Sequence, residues 1–376
     1  RRFGSETSAM TSRRNAMWTR VLLPGATSAI LAVAAAFGCA EVGAAEPASR
    51  AAGLDIYYID VMGGAATLLV TPERESILID SGWPGEDDRD PRRIVHVLKE
   101  VAGLDHLDHL VTTHWHRDHF GGVEGLARRI EIKSFWDRGL PEDGIEGLDF
   151  PDGPRPGDRL GEAYRAASKG KRKVVKAGDV LPLRGPIKAI VLAASGRVAM
   201  APENAPANPL CAEAPADLEA DPSDNARSVV VRFQFGKFDF LDCGDLTWNV
   251  EKALVCPKDL TGPIDLYQVT HHGMSISNNP ILLRTIRPIV TIMNNGPSKG
   301  GSAETVERLR TIPSIQAAYQ IHRNIKTSAG ENTDASLIVN SKEEGGEFLH
   351  VAVSPDGAQF RVQFGADGPE RTFESQ

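Results

Sequence analysis

Positive charge is what this sequence has too little of. Its 376 residues carry 42 Lys and Arg against 50 Asp and Glu, a formal net charge of −8. An acidic surface repels phosphate backbones, so extended nucleic-acid binding is disfavoured. The one basic run, Lys169, Lys171, Arg172, Lys173 and Lys176, reads as a solvated face. Apolar runs of membrane-spanning length are missing beyond the first segment, which excludes a channel built from this chain alone. Cysteine is scarce, with four in the chain, and no internal repeat is visible.

The first segment differs from the rest. Arg13, Arg14 and Arg20 precede an Ala- and Leu-rich run from Val21 to Ala40, and Gly43, Ala44 and Ala45 follow. A basic stretch, an apolar stretch and small residues in that order predict an export signal over residues 1–45, cleaved after Ala45, with Met10 or Met17 as the true start. An uncleaved anchor is the alternative, which Pro24 and Gly25 weaken. Losing this segment's five Arg and two Glu leaves the remainder at −11. The expected location is periplasmic or secreted, with no membrane association after cleavage. An oxidising compartment permits one disulfide among the three remaining cysteines. Cys243 lies in an apolar strand and is expected to be buried, so Cys211 with Cys256 is the expected pair.

Residues 46–376 read as one domain in which strands dominate both ends. Leu54 to Ile59, Ala66 to Val70 and Ser76 to Ile79 are strand-like, and Pro91 to Val101 has helical spacing. Leu110 to Thr113 is a buried strand, and Gly121-Gly122 opens a short helix. Ser228 to Phe235 and Phe238 to Leu241 form a hairpin through Gly236-Lys237. Further strands are expected at Leu266 to Thr270, at Ile289 to Met293, and around Leu337, Leu349 and Phe360. Residues 140–224 have little pattern and read as an insertion or lid with a few strands, such as Ile187 to Leu192. Two facing sheets covered by helices would bury this arrangement.

Thr113-His114-Trp115-His116-Arg117-Asp118-His119 carries the chemistry. Three imidazoles and a carboxylate in six positions are costly to hold together without a cation. His114 and His116 project to one side of an extended chain, while Asp118 and His119 turn into a helix start. Three other strand ends carry metal-type side chains: Asp80, Asp245, and the pair His271-His272. His106 and His109 read as packing or turn residues ahead of the strand, and Trp115 as packing. His322 follows a strand and is a minor candidate for the cleft.

His114-Trp115-His116-Arg117-Asp118-His119, with Gly121-Gly122 behind it, resembles the HxHxDH signature of the metallo-β-lactamase superfamily. The resemblance implies an α+β fold, a four-layer αβ/βα sandwich with a dinuclear site at one edge. It implies His114 and His116 on a first ion, Asp118 and His119 on a second, and Asp245 bridging them. One of His271 and His272 completes the second ion; His272 is taken as the ligand and His271 as the substrate-side residue. Asp80 is expected behind the ligands, orienting them. Many members carry a further ligand His before the bridging Asp, and this chain has none between His119 and His271. Asp224, Asn225 and Ser228 are the candidates near that gap. Asp224-Asn225 to Val230, Phe240 to Asp245 and His271-His272-Gly273 are similar to the metallo domain of competence-type DNA-uptake proteins. The loop Asp60-Val61-Met62-Gly63-Gly64-Ala65 departs from that subgroup's Gly-Gln-Gly-Asp pattern.

The function so implied is an exported hydrolase with two divalent ions and a metal-bound hydroxide. Zinc is the default, with manganese or iron as alternatives. A phosphodiester is the favoured substrate, and Asp118 or His271 is the group that handles a proton. The alternatives are a lactone, thioester or β-lactam hydrolase, or a metal-binding member without activity. The sequence sets no oligomeric state.

Overall fold

The computed structural model describes residues 53–376; the expected export signal lies outside the described residues. Two sheets face each other. The chain opens the first with β1 (Leu54–Tyr58), β2 (Thr67–Val70), β3 (Ser76–Ile79), β4 (His106–Val111), β5 (Glu131–Asp137) and β6 (Arg172–Val174). It builds the second from β7 (Val180–Leu181), β8 (Ile187–Ala194), β9 (Arg197–Val198), β10 (Val230–Phe235), β11 (Phe238–Asp242), β12 (Leu266–Gln268), β13 (Val290–Met293), β14 (Ala317–His322) and β15 (Ile338–Asn340). It then returns to the first with β16 (Leu349–Val353), β17 (Gln359–Phe364) and β18 (Glu370–Glu374), where β16 pairs with β1. β3 to β6 run parallel, as do β11 to β15, and the outer strands are antiparallel.

The two-residue period of each strand sorts its side chains between layers. Leu54, Ile56 and Tyr58 of β1 and Ile77 and Ile79 of β3 face Phe238 and Phe240 of β11 and Val290 and Ile292 of β13 in the core between the sheets. The alternate residues face helices. Tyr57 and Leu78 pack with Ile94 of α1 (Arg89–His96). The same layer holds α2 (Arg117–Phe120), α3 (Val123–Ala127) and α4 (Arg159–Ser168) through Phe120, Leu126 and Tyr164. On the far side Leu241, Tyr267 and Met293 meet α5 (Trp248–Val255), α6 (Pro280–Ile286) and α7 (Ala303–Arg310). The result is the expected four-layer αβ/βα sandwich. No helix among the described residues is long and apolar enough to cross a membrane.

The structure differs from the sequence reading in places. The middle of residues 140–224 belongs to the body of the fold: α4 covers the first sheet, β6 is that sheet's edge, and β7 to β9 begin the second. Their brevity hid them, since β6 has three residues and β7 and β9 two each. His106 and His109 sit inside β4 rather than ahead of it. His322 closes β14 fully buried, with Nε2 2.7 Å from Asp60 Oδ1, while Arg93 holds the other oxygen of Asp60 at 2.8 Å. It ties the two sheets together and does not serve the cleft.

Cys211 and Cys256 are joined, and Cys243 is buried and free, as expected. The bond links positions 45 residues apart. Cys256→Ser is expected to cost about 2–4 kcal/mol, chiefly by releasing the unfolded chain. A urea titration of the oxidised protein and the variant reads this as a lower midpoint.

Candidate metal centre

Every part of the site leaves a parallel strand at its C-terminal end. Asp80 follows β3, the histidine motif follows β4, Asp245 follows β11, and His271-His272 follows β12. Such strand ends open into one crevice, and the strands behind them fix the side chains. Sharp turns aim the groups. Asp80, His271 and His272 all adopt left-handed backbone conformations, which cost L-residues energy and persist only when the surroundings impose them.

Hydrogen bonds supply that imposition. Asp80 accepts from the Thr113 amide at 2.8 Å through Oδ1, and from the Thr113 hydroxyl and His119 Nδ1, each at 2.7 Å, through Oδ2. Gly244 lies so close to Thr113 that a Cβ there would come within 2.9 Å of the Thr113 Cβ, so the β11 turn docks on the motif only as glycine. The His271 amide donates to the Gly244 carbonyl at 3.0 Å. The Glu251 carboxylate accepts from the Asn278 and Asn279 amides at 2.9 and 2.8 Å and anchors the far end of the His271-His272 loop. Burial pushes the Glu251 carboxyl up to about 7. Ser277, whose hydroxyl donates to the Leu246 carbonyl at 2.7 Å, holds the same loop.

The protons on four imidazoles follow from their partners. His119 Nδ1 lies 2.7 Å from the Asp80 carboxylate, with the Thr113 hydroxyl oxygen farther off at 3.4 Å, and His272 Nδ1 faces the Asn294 carbonyl at 3.2 Å, so both nitrogens donate. Thr113 spends its hydroxyl hydrogen on Asp80, so its oxygen accepts from His114 Nδ1 at 3.1 Å. Ser277 spends its own on the Leu246 carbonyl at 2.7 Å, so it accepts from His271 Nδ1 at 3.1 Å. All four Nε2 atoms then turn lone pairs toward one carboxylate oxygen. Asp245 Oδ2 lies 3.2 Å from His119, 3.3 Å from His272, 3.5 Å from His271 and 3.9 Å from His114.

Four of these groups outline a coordination shell. Asp118 Oδ2, His119 Nε2, Asp245 Oδ2 and His272 Nε2 lie within 4.8 Å of one another. Five of their six separations run from 3.1 to 3.3 Å. A tetrahedral zinc ion with bonds of about 2.0–2.1 Å separates its ligand atoms by roughly 3.3 Å. The expected second-ion set, with His272 as its imidazole, is therefore brought together. The charges agree. Burial alone would raise the Asp245 carboxyl, but His119, His272 and His271 hold it well below the usual carboxylate range. Burial works against a charged His119, yet Asp245, Asp118 and Asp80 raise it well above an ordinary imidazole. The carboxylates call for positive charge, which a divalent ion would supply in place of protons.

The first-ion set is looser. His114 Nε2 is buried with no partner, and burial and then His119 keep its pKa well below the ordinary value. An orphaned buried nitrogen facing a carboxylate fits a missing cation. His116, expected beside it, sits partly exposed at the rim with Nε2 3.3 Å from Asp152 Oδ2. The candidates for the gap separate clearly. Asp224 is no ligand: its carboxylate takes the Arg138 guanidinium at 2.6 Å and the Trp115 amide at 2.7 Å, clamping the motif loop from behind. Ser228 Oγ accepts from the Asp245 amide at 3.2 Å and positions that residue. Asn225 stands in the site, its Nδ2 3.4 Å from His271 Nε2 and its Oδ1 buried without a partner. Trp115 packs edge-on against Phe120 and Tyr164, as expected.

The sequence reading missed Lys299. Its ammonium contacts Asp118 Oδ2 and lies 5.0 Å from the centre of the Trp83 ring. The only signal was a lysine in a loop rich in Gly and Pro, without periodicity. Arg138 and Asp152 were missed for the same reason.

Residues 59–198 match the family model described as the metallo-beta-lactamase superfamily. The likeness to that superfamily is carried by this stretch, and the described residues have the metallo-β-lactamase fold. A curated relative, the "Beta-lactamase-like protein 2 homolog" of Caenorhabditis elegans, is 32% identical over 69 residues, 18% of this chain and 22% of that protein. This chain thus matches about a fifth of that relative's length. The solved metallo-beta-lactamase fold protein YhfI from Bacillus subtilis aligns with a TM-score of 0.40 and 11% identity over 71% of this chain and 95% of that one. CmlA, a diiron beta-hydroxylase from Streptomyces venezuelae, aligns with a TM-score of 0.36 and 15% identity over 64% and 44%.

Two substitutions separate support from ligation. Asp224→Ala leaves the fully buried Arg138 unpaired and is expected to cost about 3–5 kcal/mol, read in the urea midpoint. Asp80→Ala frees His119 Nδ1 and is expected to weaken divalent-ion binding about 10–100-fold in a competitive chelator titration.

Proposed function

We propose that this protein is a metal-dependent hydrolase of the superfamily that acts on phosphodiesters outside the cytoplasm. The observation that carries the metal dependence is the convergence of four Nε2 lone pairs on Asp245 Oδ2, three of them within 3.5 Å. Asp118, His119 and His272 would hold one ion, and His114, with His116 and the Asn225 amide oxygen, the other; Asp245 would be shared. Two divalent ions, with zinc the default and manganese or iron open, supply an ionised water at neutral pH and neutralise charge on phosphoryl oxygens.

The chain's own groups do the rest. His271 Nε2 bears its lone pair beside Asp245 and takes the substrate-side position, where it accepts or relays a proton. Asp118 is committed to the ion side through Oδ2. A cleft of about 520 Å³ beside the His116–Asp152 rim is lined by Arg117, Arg155 and Arg159 against Asp152 and Asp158. Arg159 is paired with Glu124 at 2.6 Å, so Arg117 and Arg155 are the guanidinium groups that support an anionic substrate there. The sequence order of Asp224-Asn225, Asp245 and His271-His272-Gly273 supports a subgroup near the competence-type metallo domains. The Cys211–Cys256 bond supports an oxidising compartment, in line with the N-terminal signal reading.

Chelation followed by metal return tests the reading. Hydrolysis of bis-p-nitrophenyl phosphate should vanish with EDTA and return with zinc or manganese. Faster turnover of a lactone or of nitrocefin would replace the phosphodiester with a carbonyl substrate. No turnover by protein carrying two ions would leave a binding module. His272→Gln should lose stoichiometric metal. His271→Gln should keep both ions while kcat falls about 10²–10⁴-fold.

A further inference from the structure

The loop in which this chain departs from the competence-type pattern has a visible structural use. A Cβ on Gly63 would lie 3.1 Å from the Lys299 Cβ and 2.8 Å from the Gly296 amide. A Cβ on Gly64 would lie 3.2 Å from the Trp83 ring. Gly63-Gly64 thus makes room for one lysine and one tryptophan that come from separate loops. The lysine loop is fixed on the other side as well. The Gly296 amide donates to the Lys299 carbonyl at 2.9 Å and closes a tight turn. Gly300, at φ +74°, passes so close to the His272 carbonyl that a Cβ would come within 2.1 Å, and the Gly301 amide donates to that carbonyl at 2.8 Å. Lys299 is therefore registered directly against the loop that carries His272.

The same ammonium meets Asp118 on Oδ2, the oxygen that faces His119 and His272. A divalent ion and an ammonium compete for one oxygen, and in a partly buried site their repulsion is several-fold stronger than in water. The lysine side chain is one-third exposed, so it can leave Asp118 without breaking the fold. Its ammonium stands over Trp83, whose ring face favours a cation at this distance. A permanent structural ion pair would not need a glycine-made niche at the edge of the metal cluster.

We infer that Lys299, seated on Trp83, is an anion-binding subsite beside the second ion that takes a phosphoryl oxygen of the substrate. This rests on the two-ion reading above, and it narrows the substrate to esters that keep a negative charge at the reacting phosphorus. When the ion takes Asp118, the freed ammonium becomes a point charge for the substrate oxygen.

The test uses the metal-loaded full chain with inorganic phosphate as the probe, followed by calorimetry. Lys299→Ala is expected to weaken phosphate binding about tenfold or more, and Lys299→Arg to restore part of it. Acetate should bind the native protein more weakly than phosphate; equal or tighter binding would assign the subsite to carboxylates and overturn the inference. The kcat/KM for bis-p-nitrophenyl phosphate should fall about tenfold or more in Lys299→Ala, while that for a neutral phosphate triester holds. Divalent-ion affinity should be unchanged or tighter, since a competitor for Asp118 is gone. Equal phosphate affinity in native and Lys299→Ala proteins, or looser metal in the variant, would overturn it. Phosphate binding that depends on Lys299 in a protein with no turnover would leave the subsite standing and remove the hydrolase reading instead. Lys299→Met keeps most of the stem without the charge and gives the same reading should the alanine variant fold poorly.

Discussion

The burial of Asp245 among four imidazoles is the constraint on which the rest of the structure turns. A carboxylate in that position costs several kcal/mol of lost hydration unless opposite charge accompanies it. Its neighbours cannot all provide that charge as protons, because like charges only a few ångströms apart repel strongly out of water. With each Nδ1 already donating elsewhere, every Nε2 offers a lone pair to the same small volume. The arrangement suits a cation in that volume. The site is thus a solution to an electrostatic problem that the fold itself creates by closing two sheets over these strand ends.

Precision at that point is obtained away from it. Three residues of the site hold left-handed backbones, and each is imposed by bonds that use no ligand atom: Asp80 by Thr113, His271 by Gly244, and His272 by the loop through Gly301. The buried Arg138–Asp224 pair clamps the motif from behind. Glu251 fixes the loop that presents His271 and His272. A cavity or an unpaired charge at any of these would reach the ions through a short chain of contacts. The two expected ligand sets inherit different rigidity from this scaffold. The second is outlined by five nearly equal separations, while the first depends on His116, which Asp152 draws toward the rim.

What could be read in the sequence had period or spacing. Strand-length apolar runs at β1, β3, β11 and β13 marked the sheets, and the offsets within His114 to His119 placed the cluster. Asp245 and His271-His272 were legible because each follows an apolar run of strand length. What lacked period was lost. The two- and three-residue strands β6, β7 and β9 are too short to show alternation, and α4 lies among residues dominated by Pro and Gly. Asp224 shows the other limit. An acidic residue beside Asn225 and Ser228 looked like a ligand candidate, yet its partner Arg138 lies 86 positions away in sequence, and only folding reveals the pair. Lys299 was invisible for a related reason: its meaning comes from Trp83 and Gly63, which sit in other loops.

Charge operates at two length scales in this protein, and the two scales select different things. Over the whole surface the balance is negative, and repulsion acts out to roughly the Debye length of 8–10 Å. Beside the site the charge is mixed, with Arg117, Arg155 and Arg159 standing among Asp152 and Asp158, and Lys299 against Asp118. A long polyanion must lay many phosphates along the acidic surface to place one at the mouth. A small diester meets the local field alone and avoids that cost. The same loop that departs from the DNA-uptake pattern also builds the lysine niche, so the departure and the acidic exterior point the same way. Under the proposed function, both favour a compact phosphodiester over nucleic acid.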